Sequence, residues 1–230
     1  MDAKLESDPY KLFPGKSIVV MGHLFSEAER YVYYSANRFI KKEEDNWAIW
    51  ISTDTPYGKI KEKFKEYGFL LEQQEAHPIA ELPDEANKNI LFLDMISHRA
   101  GVSRKKHDDC RYLQDPSNLT ELSLAINEVL AKRKCGLIIL DSLNSLLVYN
   151  DLTKTLQFLR FLSAAVYEKK MTLVVYFVLG EQDPKIETSI KMAADASIIF
   201  DSDHMSIQFG SSQKAFRFEF SGEELKLFNP

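Results

Sequence analysis

The stretch KSIVVMGHLFSEAERYVYYSANRFIK, residues 16–41, decides the fold. Its apolar run at residues 17–22 ends in Gly22 and predicts a short buried strand. From about residue 26 to residue 41, apolar side chains recur at the spacing of one helix face, as at Tyr31, Val32 and Phe39. A strand, a glycine, a short loop and a helix in this order are the setting of a phosphate-binding loop.

The residues that would bind phosphate are missing from that loop. The P-loop pattern is G-x-x-x-x-G-K-[ST], whereas residues 22–29 read GHLFSEAE. Gly22 fits the first glycine, but Glu27, Ala28 and Glu29 replace the second glycine, the lysine and the hydroxyl residue. In a P-loop the lysine neutralises phosphate charge and the hydroxyl binds Mg²⁺. Two carboxylates at these positions would repel phosphate instead.

The composition favours one domain. The chain has 230 residues, 45% of them hydrophobic, and we expect a single domain over residues 1–230 with a polar lead-in at 1–13. A formal net charge of −5 argues against a chain-wide basic surface for nucleic acid. The sequence shows no signal peptide, no apolar run long enough to cross a bilayer and no disulfide framework from its two cysteines. We therefore expect a cytoplasmic protein without membrane contact.

Strands and helices are predicted to alternate along most of the chain. Further apolar runs predict strands at residues 47–52, 90–94, 136–141, 172–179 and 196–200. Helices are predicted at residues 56–67, 118–130, 152–170 and 186–194, with a polar connection at 72–88 and a long polar loop at 97–117. The C-terminal part changes to short strands at 206–209, 216–220 and 224–228. This order predicts an α/β fold with a mainly parallel central sheet and an antiparallel C-terminal extension.

Four motifs carry a family resemblance: PGKSIVVMG at residues 14–22, ISTDTP at 51–56 with KEYGF at 65–69, LIILDSL at 137–143, and KMTLVV at 170–175 with ADASII at 194–199. In their order and spacing they resemble the RecA-like ATPase core of the KaiC superfamily, which includes archaeal RadA-like proteins. The resemblance covers roughly residues 14–229. It implies a RecA-like fold of three layers, with helices on both faces of the sheet.

The resemblance also implies where a nucleotide site would lie. The run LIILDSL is similar to a Walker B strand, which makes Asp141 a Mg²⁺-side carboxylate. In the family an acidic residue after the second strand polarises the attacking water, and here Asp54 is the residue that could do so. Because the P-loop is altered, we expect a degenerate nucleotide site without catalytic residues. Its positions are Gly22, Ser26, Glu27, Ala28, Glu29, Asp54, Asp141 and Ser142.

Structural interpretations of the same carboxylates remain open. Asp141 could be an inherited residue that caps the following turn through Ser142 and Asn144. Glu27 and Glu29 stand in the first turn of a predicted helix, where acidic side chains complement the helix dipole, and the alternative for them is a site for a cation.

The predicted loop at 97–117 contains a basic cluster formed by Arg99, Arg104, Lys105, Lys106 and Arg111. In RecA-like proteins, loops on this side of the sheet contact nucleic acid or partners, so these residues are candidates for contacts with an anionic partner. Asp108 and Asp109 dilute the charge, and a solvated loop is the alternative. We predict no metal site, because the nearby histidines and cysteine match no zinc spacing.

These features together predict a RecA/KaiC-like pseudo-ATPase without a cofactor. It would act as a regulatory or structural subunit through protein–protein contacts, in a homo-oligomer or beside an active RecA-like ATPase. One alternative is an unconventional enzyme that binds ATP and Mg²⁺ weakly through Asp54 and Asp141, with Lys16 or Arg30 as the cation. Another is a DNA-repair accessory protein that binds single strands weakly through the basic loop.

Overall fold

The computed structural model describes residues 13–42, 47–69, 90–102 and 106–229. Ten strands form one sheet: β1 (Lys16–Gly22), β2 (Trp47–Ser52), β3 (Ile90–Asp94), β4 (Cys110–Tyr112), β5 (Cys135–Asp141), β6 (Thr172–Val178), β7 (Ala196–Asp201), β8 (His204–Phe209), β9 (Ser212–Ser221) and β10 (Glu224–Phe228). Six helices are described: α1 (Ala28–Lys42), α2 (Tyr57–Glu66), α3 (Leu119–Lys132), α4 (Leu143–Tyr149), α5 (Leu152–Lys169) and α6 (Pro184–Ala193).

The strand order is β10-β9-β8-β7-β1-β6-β5-β2-β3-β4. The seven strands from β7 to β4 pair in parallel, and β8, β9 and β10 extend the sheet beyond β7 in antiparallel pairing. β1 lies near the middle, where Val19 is in register with Val175 of β6 and Ser197 of β7. The predicted α/β class and the antiparallel C-terminal extension are therefore confirmed.

Each face of the sheet carries its own core. On one face, Ile18 and Val20 of β1 share a core with Tyr33 of α1 and Phe64 of α2. On the other face, Val19 and Met21 pack in a core that includes residues of α3, α4, α5 and α6. Because both faces are covered, the parallel strands are continuous apolar runs rather than alternating ones.

Two elements depart from the sequence predictions. The predicted polar loop at 97–117 contains the short strand β4, which pairs with β3 in parallel. Residues 143–149, which follow β5 directly, form the helix α4 before the predicted helix begins at Leu152. The predicted connection at 72–88 and all of the predicted lead-in except Phe13 lie outside the described residues.

None of the described helices combines the length and the apolar character that crossing a bilayer requires.

Parallel pairing brings the carboxyl ends of β1, β2 and β5 to one edge of the sheet. The chain leaves these strands at Gly22, Ser52 and Asp141. Open α/β sheets bind ligands at this edge. The candidate positions identified in the sequence therefore come from three separate parts of the chain to one place.

We predict that Gly22→Ala lowers the free energy of unfolding by about 1–3 kcal/mol, because it overpacks the start of the β1–α1 loop. A Cβ atom at this position would lie 2.2 Å from Ser26 Oγ and 2.7 Å from Ala28 Cβ, and the latter is fixed by the helix backbone. Chemical denaturation of both variants measures the effect. Gly58→Ala in α2 is the control, since a Cβ there meets nothing within 4 Å. An equal response at the two glycines would contradict the prediction.

Candidate functional site

A cleft of about 630 Å³ opens at the carboxyl edge of the sheet. Six of the eight degenerate-site positions line it: Ser26, Glu27, Glu29, Asp54, Asp141 and Ser142. Gly22 and Ala28 belong to the same loop and helix start but are not among the lining residues. The structure thus brings most of the predicted positions together around one cavity.

The β1–α1 loop forms one wall of the cleft and folds back on itself. The Ser26 amide donates to the His23 carbonyl at 3.0 Å, and the Ala28 amide donates to Ser26 Oγ at 3.4 Å. Phe25 lies at the tip in left-handed backbone conformation, with φ of 64° and a fully exposed side chain. The Ser26 amide in the loop and the Ala28 amide at the helix start are therefore both satisfied within the loop.

Glu29 is held by two residues of the α2 region. Its carboxylate forms an ion pair with Lys63 and accepts a hydrogen bond from the Tyr67 hydroxyl at 2.9 Å. Burial alone would lower the pKa of Lys63, but the hydrogen bond and charge of Glu29 raise it. Burial, together with Glu29, raises the pKa of Tyr67. The carboxylate at the hydroxyl position of the P-loop pattern is thus neutralised from within the chain.

Arg30 links the cleft to the C-terminal strands. Its guanidinium lies 3.8 Å from the Glu27 carboxylate, donates to the Gly222 carbonyl at 3.1 Å and stacks 4.6 Å from the Phe220 ring centre. Because Glu27 and Glu29 both have cationic neighbours, their role is more specific than that of helix-dipole partners alone.

Asp54 is held by hydroxyl groups. Its Oδ2 atom accepts from Ser142 Oγ at 2.9 Å and from Ser145 Oγ at 2.8 Å. Its Oδ1 atom accepts from Thr55 Oγ1 at 2.9 Å. These contacts connect the end of β2 to the start of α4. They also fix the exposed carboxylate at the cleft wall.

Asp141 lies at the base of the cleft and is only 4% exposed. Neither its Oδ2 atom nor Nε1 of the adjacent Trp50 has a hydrogen-bond partner of good geometry in the described part of the chain. Burial raises the pKa of Asp141 well above its usual value and the charges of Asp54 and Glu29 raise it further, whereas the charge of Lys63 and the nearby Trp50 indole N–H offset part of the rise. The carboxyl group is thus buried and incompletely satisfied.

The interpretation of Asp141 as a turn cap is wrong. Ser142 Oγ donates to Asp54, and Asn144 exchanges two hydrogen bonds with the main chain of Val178, at 2.9 and 2.7 Å. Both expected partners are therefore engaged elsewhere, and the Asp141 carboxyl group is left facing the cleft.

Lys63 and Tyr67 were not identified as site residues from the sequence. Helix α2 contains four alternating lysines, and composition does not distinguish Lys63 from its neighbours. The available signal was spacing, because Lys63 and Tyr67 are four residues apart and so share a helix face. Only the packing of α2 beside α1 identifies the carboxylate that they meet.

Lys16 does not reach the cleft. It begins β1, whereas Gly22 ends that strand at the cleft edge, and a strand rises about 3.3 Å per residue. At its own end of the strand Lys16 pairs with Asp195 at 3.3 Å. The proposal of Lys16 as a cation for nucleotide binding is therefore wrong, while Arg30 does line the cavity.

The described members of the basic cluster, Arg99, Lys106 and Arg111, are not among the residues that line the cleft, and two of them are paired. Arg99 contacts Asp115 at 2.5 Å, and Arg111 contacts Glu128 at 2.6 Å. Lys106 is exposed, while Arg104 and Lys105 lie outside the described residues. The two ion pairs reduce the local positive charge, and the anionic contact remains a prediction.

Metal binding finds no support in the described side chains. Across residues 13–42, 47–69, 90–102 and 106–229, no three His, Cys, Asp or Glu side chains are grouped so that they could hold a metal ion. The carboxylates of the cleft are instead distributed around its walls.

We predict that Asp141→Asn stabilises the fold, by about 1–3 kcal/mol at pH 8, because it removes a buried ionisable group without a partner. The raised pKa means that the folded chain binds this proton more tightly than the unfolded chain. Stability from this group is therefore lost as pH rises above about 3.9, the unfolded value, towards the folded value. The gain of the variant should grow with pH over that window.

Urea denaturation at several pH values measures this difference. Glu168→Gln, an equal change of charge at an exposed position of α5, is the control and should show no such trend. A variant that is less stable than the natural chain at every pH would contradict the prediction.

No family model matches this chain, and neither does any curated protein. Solved structures do resemble it. An uncharacterized protein of Pyrococcus horikoshii, PH0321, solved in complex with an unknown peptide, superposes with a TM-score of 0.59 at 16% identity, over 93% of this chain and 91% of that chain. A KaiC-like protein of the same archaeon, PH0186, gives a TM-score of 0.61 at 10% identity, over 94% and 90%. At these identities the likeness concerns the fold alone, and the chain has a RecA/KaiC-like fold.

Proposed function

We propose that this chain is a non-catalytic RecA/KaiC-like domain that acts as a regulatory or structural subunit through protein–protein contacts. The observation that carries the proposal is the engagement of Lys63 and Tyr67 by Glu29 in the cleft. A nucleotide would need free cations and free amides at this place. The cleft instead has a cation committed to a carboxylate of the chain.

The charge around the cavity argues in the same direction. Its lining residues include five acidic and two basic side chains. The basic ones, Lys63 and Arg30, are both engaged with other groups of the chain. The triphosphate of ATP would therefore meet net negative charge at short range, which costs several kcal/mol at reduced dielectric.

The rim of the cleft favours a macromolecular partner. Leu24 is 57% exposed, Phe25 102% and Val148 72%, and all three lie on the cleft lining. Exposed apolar side chains around a polar depression are common at protein-binding surfaces. The solved Pyrococcus horikoshii protein of similar fold holds an unknown peptide, which is in keeping with a fold that binds polypeptide.

Weak binding of ATP with Mg²⁺ is the second candidate function. It is favoured by the Asp141 carboxyl group, which lines the cavity without a partner for its Oδ2 atom among the described residues. Such binding would require Lys63 or Arg30 to leave its present contacts, and the cost of that exchange makes high affinity unexpected.

We predict that ATP and ADP with Mg²⁺ bind more weakly than about 1 mM, because the charge-assisted contacts of a P-loop are absent. Isothermal titration calorimetry measures the affinity. The matched variant Glu27→Gly/Ala28→Lys/Glu29→Ser restores the P-loop pattern and should bind more tightly than the natural chain. Micromolar affinity of the natural chain for ATP would overturn the proposed function.

The basic loop gives a separate prediction. We expect any binding of single-stranded DNA to depend on Arg104, Lys105 and Lys106 acting together, because exposed charges are individually weak. Replacing all three by glutamine should lower DNA affinity and flatten its dependence on salt, while the folding midpoint stays unchanged. Fluorescence anisotropy at two salt concentrations measures this. Identical curves for the two proteins would leave the loop without a role in binding.

A further inference from the structure

The base of the cleft contains buried polar groups that the fold does not satisfy. Asp141 Oδ2, Trp50 Nε1 and the Tyr33 hydroxyl are all buried, and none makes a hydrogen bond of good geometry among the described residues, although the Trp50 indole N–H lies close enough to Asp141 to lower its pKa slightly. The rings of Tyr33 and Trp50 lie 4.6 Å apart, and Trp50 lies beside Asp141. Buried polar groups are almost always paired in folded proteins, so an unpaired carboxyl oxygen that lines a cavity points to a ligand that pairs with it.

The charge of the cavity indicates which ligand suits it. Besides Asp141, the lining includes Glu27, Glu29, Asp54 and Glu181. The two basic side chains on the lining leave this set with an excess of negative charge. A cationic group entering the cavity would gain from every carboxylate at once, and would gain most beside Asp141, where the surroundings are least polar.

The size and the walls of the cavity favour an organic cation over a metal ion. About 630 Å³ is far more than one ion needs, and the part of the chain that the structure describes holds no cluster with metal-binding geometry. Aromatic side chains of Tyr67 and Tyr176 also line the cavity, and Phe25 stands at its mouth. Aromatic faces and carboxylates are the two surfaces that a guanidinium group recognises well.

Arg30 shows the same chemistry within this chain. Its guanidinium lies 5.9 Å from the Tyr67 ring centre and 4.6 Å from that of Phe220. The same group donates a hydrogen bond to the Gly222 carbonyl and forms an ion pair with Glu27. The planar group thus uses aromatic and acidic neighbours at the wall of this cleft. A second guanidinium would find comparable neighbours deeper in the cavity.

We propose that the cleft is a receptor for an arginine side chain of a partner protein, with its guanidinium paired to Asp141 and the apolar rim packed on flanking residues. This inference rests on the proposed function and names the chemistry of the partner that it requires. The cleft would then bind a cationic side chain of another protein, at the place where a P-loop binds the phosphate anion of a nucleotide.

The proposal predicts that binding of the arginine side chain changes the protonation state of Asp141. Burial and the neighbouring carboxylates favour the neutral form of Asp141 in the empty cleft, whereas a bound guanidinium favours the ionised form. The other groups that face Asp141 are Asp54 after β2, Glu29 and Tyr33 on α1, Lys63 on α2 and Tyr176 on β6. Binding should therefore release a proton, and affinity for arginine should rise with pH until Asp141 is ionised in the free chain.

Three short peptides test the inference on the whole chain. The probes are acetyl-Leu-Arg-Leu-amide and its counterparts with citrulline or lysine at the central position. Citrulline keeps the shape of arginine and removes its charge. We expect the arginine peptide to bind at least about tenfold more tightly than the citrulline peptide, equivalent to about 1.4 kcal/mol, with lysine between them. Calorimetry measures affinity, and the Trp50 indole N–H resonance reports whether binding occurs at the base of the cleft.

Variants assign the effect to Asp141. Asp141→Asn should remove most of the preference for arginine over citrulline and abolish the rise of affinity with pH, whereas Glu168→Gln should change neither. If Asp141→Asn fails to fold, the comparison of the three peptides on the natural chain still decides. Equal binding of arginine and citrulline peptides, or an arginine preference that survives in Asp141→Asn, would overturn the inference.

The titrations of ATP separate this inference from the proposed function. Failure of the arginine peptide together with absence of ATP binding would reject only the arginine receptor. Micromolar binding of ATP would reject the non-catalytic domain itself.

Discussion

The parallel pairing of β5 between β2 and β6 sets the character of the cleft. It places Asp141 at the carboxyl edge, with Ser52 of β2 in register beside it, and covers it with α1 and α2 from one face. An acidic side chain with so little exposure is poorly solvated, so its ionised form is disfavoured unless a cation lies nearby. Among its neighbours, Lys63 favours the ionised form of Asp141, whereas Asp54 and Glu29 favour the neutral form.

Lys63 supplies part of that positive charge, and the carboxylates of Glu29 and Asp54 have partners within the chain. Lys63 and Tyr67 hold Glu29, and the hydroxyls of Ser142 and Ser145 hold Asp54. The fold brings these partners together because α2 follows β2 and packs beside α1, while α4 follows β5. In a phosphate-binding loop the same positions would be arranged around an anion supplied from outside. Here Glu29 and Asp54 are held instead by ion pairs and hydrogen bonds within the chain.

Much of the fold was predictable because burial on both faces leaves a clear trace. Runs such as residues 17–22 and 172–178 have no polar interruption strong enough to allow another interpretation, and their order predicted the parallel sheet. β4 left no such trace, because its three residues lie at the sheet edge with one neighbouring strand. Helix α4 was not predicted, because it begins just after β5 and is only seven residues long.

The candidate site was predictable only in part, for a different reason. Glycine and carboxylate positions follow from the ends of predicted strands, so Gly22, Asp54 and Asp141 could be placed at one edge. The partners of these residues depend on helix packing, which sequence spacing does not fix. The choice of Lys63 among four lysines and of Ser145 for Asp54 required three-dimensional information.

The contact between Arg30 and Gly222 ties the far C-terminal hairpin to the cleft wall. Lys41 of the same helix also pairs with Glu223, so α1 is fastened to that hairpin at two points. The terminal strands are therefore part of the electrostatic environment of a cavity that lies many residues earlier in the chain. Shortening the protein behind β9 would remove the Gly222 carbonyl and free the guanidinium of Arg30 on that side, so the last hairpin helps to fix where the positive charge beside Glu27 lies.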